Sequence, residues 1–104
     1  MKQLSEYITE ASKYLLYTIK VSPYKDDLRI DVEYHYFDQK EYAFMNDNGK
    51  IYSYNNEAAE SVDNTLLKME EMIKGFDSRE IKEHTIYRVY SDGPHGNKWT
   101  LKIN

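Results

Sequence analysis

The sequence predicts an α+β fold in which a single antiparallel sheet of about six strands carries two helices on one face. Two segments place apolar residues at the spacing of three and four that a helix requires, and six short segments alternate apolar and polar residues as strands do. Turn-forming residues separate the strands. The predicted order is α-β-β-β-β-α-β-β, and the 104 residues are expected to form one compact domain, 1–104.

The N-terminal part of the chain predicts a helix that is followed directly by a strand. An apolar stripe at helical spacing is formed by Leu4, Ile8, Ala11 and Leu15. We therefore expect a helix from Ser5, its cap, to Tyr14 or slightly beyond. From residue 15 the period becomes two, and the residues expected on one strand face are Leu15, Tyr17, Ile19 and Val21. The turn formers of residues 22–27 are expected to end this strand.

The second strand has the clearest alternation in the chain. One of its faces is expected to hold Leu28, Ile30, Val32, Tyr34 and Tyr36, and the other Arg29, Asp31, Glu33 and His35. A third strand is expected near 41–46. A hairpin turn with Gly49 in the left-handed conformation should then place Phe44 opposite Tyr52 and Tyr42 opposite Tyr54.

The remaining elements are a helix and a final hairpin. Apolar residues at spacings of three and four predict a helix that Asn55 or Asn56 caps and Gly75 ends, and the residues concerned are Ala59, Val62, Leu66, Met69, Ile73 and Phe76. The last two strands are expected at His84–Tyr90 and Trp99–Ile103.

The charge distribution favours a protein partner over nucleic acid. Fourteen basic and eighteen acidic residues give a net charge of −4, and residues 22–66 alone carry ten acids and four bases. Such a segment repels phosphate backbones, so we expect a basic protein partner and no direct nucleic-acid binding. The lack of cysteine excludes disulfides and thiolate chemistry. Because no stretch is long and apolar enough for a signal peptide or a membrane span, a cytoplasmic protein is expected.

No motif predicts catalysis, a metal site or a cofactor. The turn around Gly49 lacks the charged first and twelfth ligands of a calcium loop, and residues 92–97 lack the lysine and the following helix of a phosphate loop. His35, His84 and His95 do not have the spacing of metal ligands, and no nucleophile motif is present. The protein is therefore predicted not to be an enzyme.

Tyrosines and acids in the middle of the chain predict a surface for a partner. Strands favour tyrosine in any case, and Tyr34 and Tyr36 are expected to pack beneath the helices. The other aromatic residues exceed what a small core can hold, and aromatic anchors with an acidic rim are typical of interfaces with basic proteins. The predicted partner-binding residues are Asp26, Asp27, Asp31, Glu33, Tyr36, Asp38, Glu41, Tyr42, Asp47, Tyr52 and Tyr54.

The opening MKQLSEYITEASK and the short, acidic, cysteine-free and tyrosine-rich character of the chain resemble the short proteins of tailed phages. In general character rather than in aligned residues, the chain is similar to phage inhibitors of host defence, such as anti-CRISPR and DNA-mimic proteins. This resemblance implies a non-enzymatic inhibitor in the host-cell cytoplasm. Its carboxylates would occupy the basic site of a nucleic-acid enzyme in place of phosphates, with tyrosines as anchors.

Two other hypotheses stay open. The chain also resembles toxin-immunity proteins and acidic secretion chaperones, which share the order of helix, strands, helix and strands, and a chaperone would form a homodimer. The third hypothesis is a small-molecule-binding domain or small enzyme that uses a cavity between helix and sheet, with His35 or His84 in it. That hypothesis predicts a deep polar pocket.

Overall fold

Six strands form a single antiparallel sheet. The computed structural model describes residues 14–93 and 96–104. Within these ranges the elements are β1 (Tyr14–Tyr24), β2 (Asp27–Tyr34), β3 (Gln39–Met45), β4 (Ile51–Tyr52), α1 (Asn56–Met72), a 3-10 helix (Ser78–Glu80), β5 (Thr85–Ser91) and β6 (Trp99–Ile103). The strands lie in the order β4-β3-β2-β1-β5-β6, and each neighbouring pair is antiparallel.

The predicted fold class is wrong in the number of helices. In the described ranges α1 is the single α-helix, so the sheet carries one helix and the order is β-β-β-β-α-β-β. The predicted first helix lies outside the described residues except for its last residue, Tyr14, which is already the first residue of β1 and pairs with Ser91 of β5. Spacing alone allowed Leu15 to continue a helical stripe, but pairing with β5 places this residue in a strand.

A bulge in β1 changes which leucine is buried. Leu15 pairs with Tyr90 and Tyr17 pairs with the preceding residue, Val89, so Leu16 is an extra residue in β1. Leu16 is buried, whereas Leu15 is only half-buried. The prediction that Leu15 shares a face with the rest of the strand is therefore wrong, because strict alternation fails at a bulge.

The turn predicted at residues 22–27 is present but shorter than predicted, since it is confined to Lys25 and Asp26. β1 continues through Pro23 to Tyr24, which pairs with Asp27 across a tight turn where Lys25 has a φ of 54°. Proline is tolerated here because the pairing of β1 with β5 ends at Val21, so Pro23 has no partner residue in β5.

One face of the sheet, which we call the covered face, packs against α1. Its buried strand residues form one cluster with the buried helix residues: Ile19, Val21, Ile30, Val32, Ala43, Met45 and Val89 from the strands, and Val62, Leu66 and Met69 from α1. The helix begins where predicted, because the Asn55 side chain accepts hydrogen bonds from the backbone N–H groups of Glu57 and Ala58. Beyond its end, Gly75 has the left-handed φ of 84° that suits glycine.

Tyrosines at one end of the covered face have hydrogen-bond or ring partners. The hydroxyls of Tyr34 and Thr65 lie 3.1 Å apart in a hydrogen bond, and the ring of Tyr17 contacts Tyr34 edge-on at 5.4 Å and Trp99 at 5.5 Å. Tyr34 therefore packs beneath the helix as predicted. The same prediction for Tyr36 is wrong, because β2 ends at Tyr34 and Tyr36 lies exposed in the turn to β3.

The β3–β4 hairpin follows the predicted register in part. Gly49 has a φ of 80°, and Phe44 pairs with Tyr52 as expected. β4 ends at Tyr52, so Tyr54 lies beyond the strand rather than paired with Tyr42.

Candidate partner-binding face

The side of the sheet away from α1, which we call the open face, is formed by alternate residues of the strands. Directly paired residues of antiparallel strands share a face. The central open-face residues are therefore Thr18, Lys20 and Ser22 of β1, Asp27, Arg29, Asp31 and Glu33 of β2, and Lys40, Tyr42 and Phe44 of β3. The described part of the chain places no α-helix on this face, since α1 packs on the other.

Phe44 is buried on the open face although no helix covers it. Its side chain is only 3% exposed. Four tyrosine rings surround it, with centroids at 4.3 Å for Tyr24, 5.5 Å for Tyr52, 5.9 Å for Tyr42 and 6.1 Å for Tyr54. We call Phe44 and these rings the tyrosine cluster. It forms a small second core, built from aromatic contacts between neighbouring strands.

Hydrogen bonds hold two of the cluster hydroxyls in place. The Tyr52 hydroxyl donates to the Asp27 carboxylate, and this bond raises the pKa of Tyr52 to about 12. A hydrogen bond with the Tyr24 side chain raises the pKa of Tyr54. The cluster is therefore fixed both by ring packing and by its polar rim.

Arg29 connects the cluster to the middle of the open face. Its guanidinium carbon lies 4.2 Å from the centroid of the Tyr42 ring, which is the geometry of a cation–π contact. The same guanidinium donates to the Asp31 carboxylate, with Nη2 3.1 Å from Oδ1 and Nε 3.2 Å from both oxygens. Arg29 is thus oriented by the Tyr42 ring and by the Asp31 carboxylate. The ring of Tyr42 is in turn oriented by its contacts with Arg29 and Phe44.

The open face carries charges of both signs. Five basic side chains project from it, namely Lys20, Arg29, Lys40, Arg88 and Lys102, against three acidic ones, namely Asp27, Asp31 and Glu33. The balance of the strand residues is +2. Acids of β2 alternate with bases of the adjacent strands, so Lys20 lies opposite Asp31 and Lys40 opposite Glu33.

The predicted partner-binding residues are divided among several places. On the open face lie Asp27, Asp31, Glu33, Tyr42 and Tyr52, with Tyr54 just beyond β4. Asp26 and Asp47 lie in the β1–β2 and β3–β4 turns, at the end of the sheet that holds Phe44; we call this the cluster end. Tyr36 and Asp38 lie in the β2–β3 turn at the opposite end. Glu41 pairs with Val32 and therefore belongs to the covered face.

The sequence prediction missed two residues that build this surface. Tyr24 follows a proline in a segment that was expected to be a turn, and Phe44 was not assigned to the site. Alternation with Tyr42 along β3 was the available signal for Phe44. For Tyr24 no local signal existed, since its place depends on β1 continuing past Pro23.

The described histidines lie far apart in the sheet. The backbone N–H groups of His35 and His84 donate to the carbonyls of Leu16 and Val21, near opposite ends of β1. Both side chains are exposed, and the Nε2 of His35 lies 2.7 Å from the Thr18 hydroxyl. His95 lies outside the described residues. Among residues 14–93 and 96–104, no group of three or more His, Asp or Glu side chains is arranged to hold a metal ion.

Comparisons with protein-family models, with curated proteins and with solved structures find no match to this chain. Over the part of the chain that the structure describes, no helix has the length and apolar character needed to cross a membrane.

Proposed function

We propose that this protein is a non-enzymatic protein-binding module whose contact surface is the tyrosine cluster together with the acids at the cluster end. The observation that carries the proposal is the exposure of Tyr54 (85%) and Tyr42 (44%) on a framework fixed by the buried Phe44. Tyrosine rings held in place lose little conformational freedom on binding, and tyrosine is enriched among residues that dominate binding energy.

The charges beside the cluster support a basic partner. Asp26 and Asp47 are exposed in the two turns at the cluster end, next to Asp27 at the start of β2. Arginine or lysine of a partner would pair with these carboxylates and contact the tyrosine faces, as Arg29 contacts Tyr42 within this chain. Inhibition of a nucleic-acid enzyme in a host cytoplasm is the more specific form of the proposal. Because bases are interleaved on the open face, mimicry of phosphates would be confined to the cluster end. There the three carboxylates of Asp26, Asp27 and Asp47 are accompanied by two lysines of the same turns, Lys25 and Lys50, which leaves a balance of −1.

The aromatic part of the surface is tested by site-specific photocrosslinking. Proteins captured from a bacterial lysate at low salt and released at raised salt are purified and then mixed with two variants. One carries a benzophenone amino acid at Tyr54, and the matched control carries it at Phe37, which is 68% exposed at the opposite end of the sheet. We expect a crosslink from position 54 and none from position 37. Equal crosslinking from both positions, or from 37 alone, would refute the proposed surface.

The charged part is tested by charge reversal. Asp26→Lys with Asp47→Lys should weaken capture of the purified partner and reduce its salt dependence, because both carboxylates lie at the cluster end. Asp38→Lys, an exposed turn residue at the opposite end, is the matched control and should leave capture unchanged. The control changes the net charge by +2 and the double variant by +4, so if the control weakens binding half as much or more, only net charge matters and the site is wrong.

A further inference from the structure

The two edges of the sheet differ in their capacity to pair with another strand. β4 offers two residues, whereas β6 offers five, and no strand of the described residues lies on the outer side of β6. A long unpaired edge presents a row of backbone donors and acceptors to any extended segment. β6 is therefore the edge at which the sheet can grow.

The hydrogen bonds between β5 and β6 show which backbone groups of β6 point outward. The N–H of Asn104 donates to the carbonyl of Ile86, and the N–H of Asp92 donates to the carbonyl of Lys98. In an antiparallel pair, residues that exchange bonds with the neighbour alternate with residues that do not. Even-numbered β6 residues therefore bond to β5, and the outward N–H and C=O groups belong to Trp99, Leu101 and Ile103.

The side chains along this edge are apolar on one face. Trp99, Leu101 and Ile103 lie on the covered face, and Ile103 is 62% exposed although it is a large aliphatic residue. Beside them runs a groove whose lining includes Ile73, Phe76, Ile81 and Tyr87. The outward backbone groups thus belong to three apolar residues, of which Leu101 and Ile103 are incompletely covered and Trp99 is buried.

We propose that β6 of a second copy of this chain pairs antiparallel with β6, about a two-fold axis at Leu101, to form a continuous twelve-stranded sheet. In this register Trp99 of each copy lies opposite Ile103 of the other, and Thr100 lies opposite Lys102. Apolar side chains face apolar ones, and no like charges are opposed. The proposal rests on β6 alone and not on the proposed function.

Several registers would pair the outward backbone groups of the two β6 strands. The positions of the lysines in β6 favour this one. A shift of the axis to Thr100 places Lys98 opposite Lys102 of the other copy, and a shift to Lys102 places the two copies of Lys102 opposite each other. Directly opposed like charges destabilise a strand pair. Axes at Trp99 or Ile103 also keep the lysines apart but leave part of Trp99–Ile103 outside the pairing, so only the axis at Leu101 pairs the whole strand without opposing lysines. This self-complementarity favours a second copy as the occupant of the edge.

Cysteine crosslinking tests both the dimer and its register. Since the chain contains no cysteine, Leu101→Cys introduces a single thiol, and its Cα would lie about 5.5 Å from its symmetry mate, within disulfide range. We expect a disulfide-linked dimer from Leu101→Cys under mild oxidation and much less from Thr100→Cys or Lys102→Cys. Preferential crosslinking at 100 or 102, or equal crosslinking at all three positions, would overturn the proposal.

Charge variants test the same register without a covalent bond. Thr100→Lys places a lysine of each copy opposite Lys102 of the other copy and should weaken self-association about tenfold. Sedimentation equilibrium over about 1 μM to 1 mM protein measures the change. Adding Lys102→Glu should restore it, whereas Lys102→Glu alone, which loses the contact of Lys102 with the Tyr90 ring, is the control. A wild-type chain that stays monomeric over the whole range would refute pairing with a second copy and leave the edge to another segment.

Discussion

The covered and the open face of the same sheet bury residues in different ways. On the covered face, aliphatic side chains such as Ile30 and Val32 are shielded by α1, an element distant in sequence. On the open face, Phe44 is shielded by tyrosines from β1, β3 and the residues around β4. The helix shields the middle of the covered face, whereas Ile103 at the β6 edge of that face stays exposed. The tyrosine cluster excludes water from its centre while Tyr42 and Tyr54 still reach the surface, so one patch can contribute to stability and remain accessible to the partner that we propose.

The largest expected effect concerns the covered face. Leu66→Ala should lower the free energy of unfolding by about 3 to 4 kcal/mol, because Leu66 is almost fully buried in the main core and its loss leaves a cavity. Urea unfolding followed by circular dichroism measures the change. Leu67→Ala is the matched control: the neighbouring leucine is exposed, and its loss should change stability by less than about 0.5 kcal/mol. Similar losses from both variants would contradict the assigned packing of α1.

A smaller but still substantial effect is expected on the open face. Phe44→Ala should cost about 2 kcal/mol, less than a fully enclosed phenylalanine, because the surrounding tyrosine rings can partly close the gap. The same unfolding measurement checks it, and Phe44→Leu should cost less than about 1.5 kcal/mol because it preserves most of the volume. If Phe44→Ala costs no more than a change at the exposed Phe37, the tyrosine cluster is not a second core.

The helix cap should have an intermediate effect. Asn55→Ala removes the side-chain acceptor for the N–H groups of Glu57 and Ala58 and should cost about 1 kcal/mol. Asn55→Gly should cost only a few tenths of a kcal/mol, since glycine leaves the backbone open to water. Thermal or urea unfolding of the two variants compares them directly, and an alanine variant as stable as the glycine variant would argue against the cap.

The smallest effect is expected from the bond between Tyr52 and Asp27. This bond raises the pKa of Tyr52 to about 12 in the folded protein, above its usual value near 10, so the neutral hydroxyl is favoured by folding. Its stabilisation is complete below about pH 10 and is lost as the pH rises through about 12. Unfolding measured across this window should show a steeper loss for wild type than for Tyr52→Phe.

Three other tyrosines with raised pKa values titrate in both proteins: Tyr17 and Tyr34, where burial is the main cause, and Tyr54, which is hydrogen-bonded to Tyr24. The difference between wild type and Tyr52→Phe therefore isolates Tyr52. Parallel pH curves for the two proteins would show that the bond contributes nothing to stability.

Local patterns in the sequence determined most of the sheet and most of α1. The predicted end of the helix is wrong, because α1 ends at Met72 and Ile73 is already extended, so Ile73 and Phe76 lie beyond it. The alternation in β2 and the spacing of three and four from Val62 to Met69 are clear because each element buries the same side along its length. The cap at Asn55 and the left-handed glycines at 49 and 75 follow from backbone chemistry alone. The pairing of Phe44 with Tyr52 follows from the turn that precedes it.

Only the tertiary structure decided that Tyr14 belongs to β1 and that β1 continues to Tyr24, which brings Tyr24 into the candidate site. The positions of Tyr14 and Leu16 depend on pairing with β5, which is distant in sequence, and that of Tyr24 depends on pairing with β2, which follows it in the chain. The same pairing sets the acids of β2 between bases on neighbouring strands, so an acidic segment of sequence becomes a face of mixed charge. Local sequence fixes which way a side chain points from its own strand, but its neighbours across the sheet depend on strand order and register, which are properties of the whole fold.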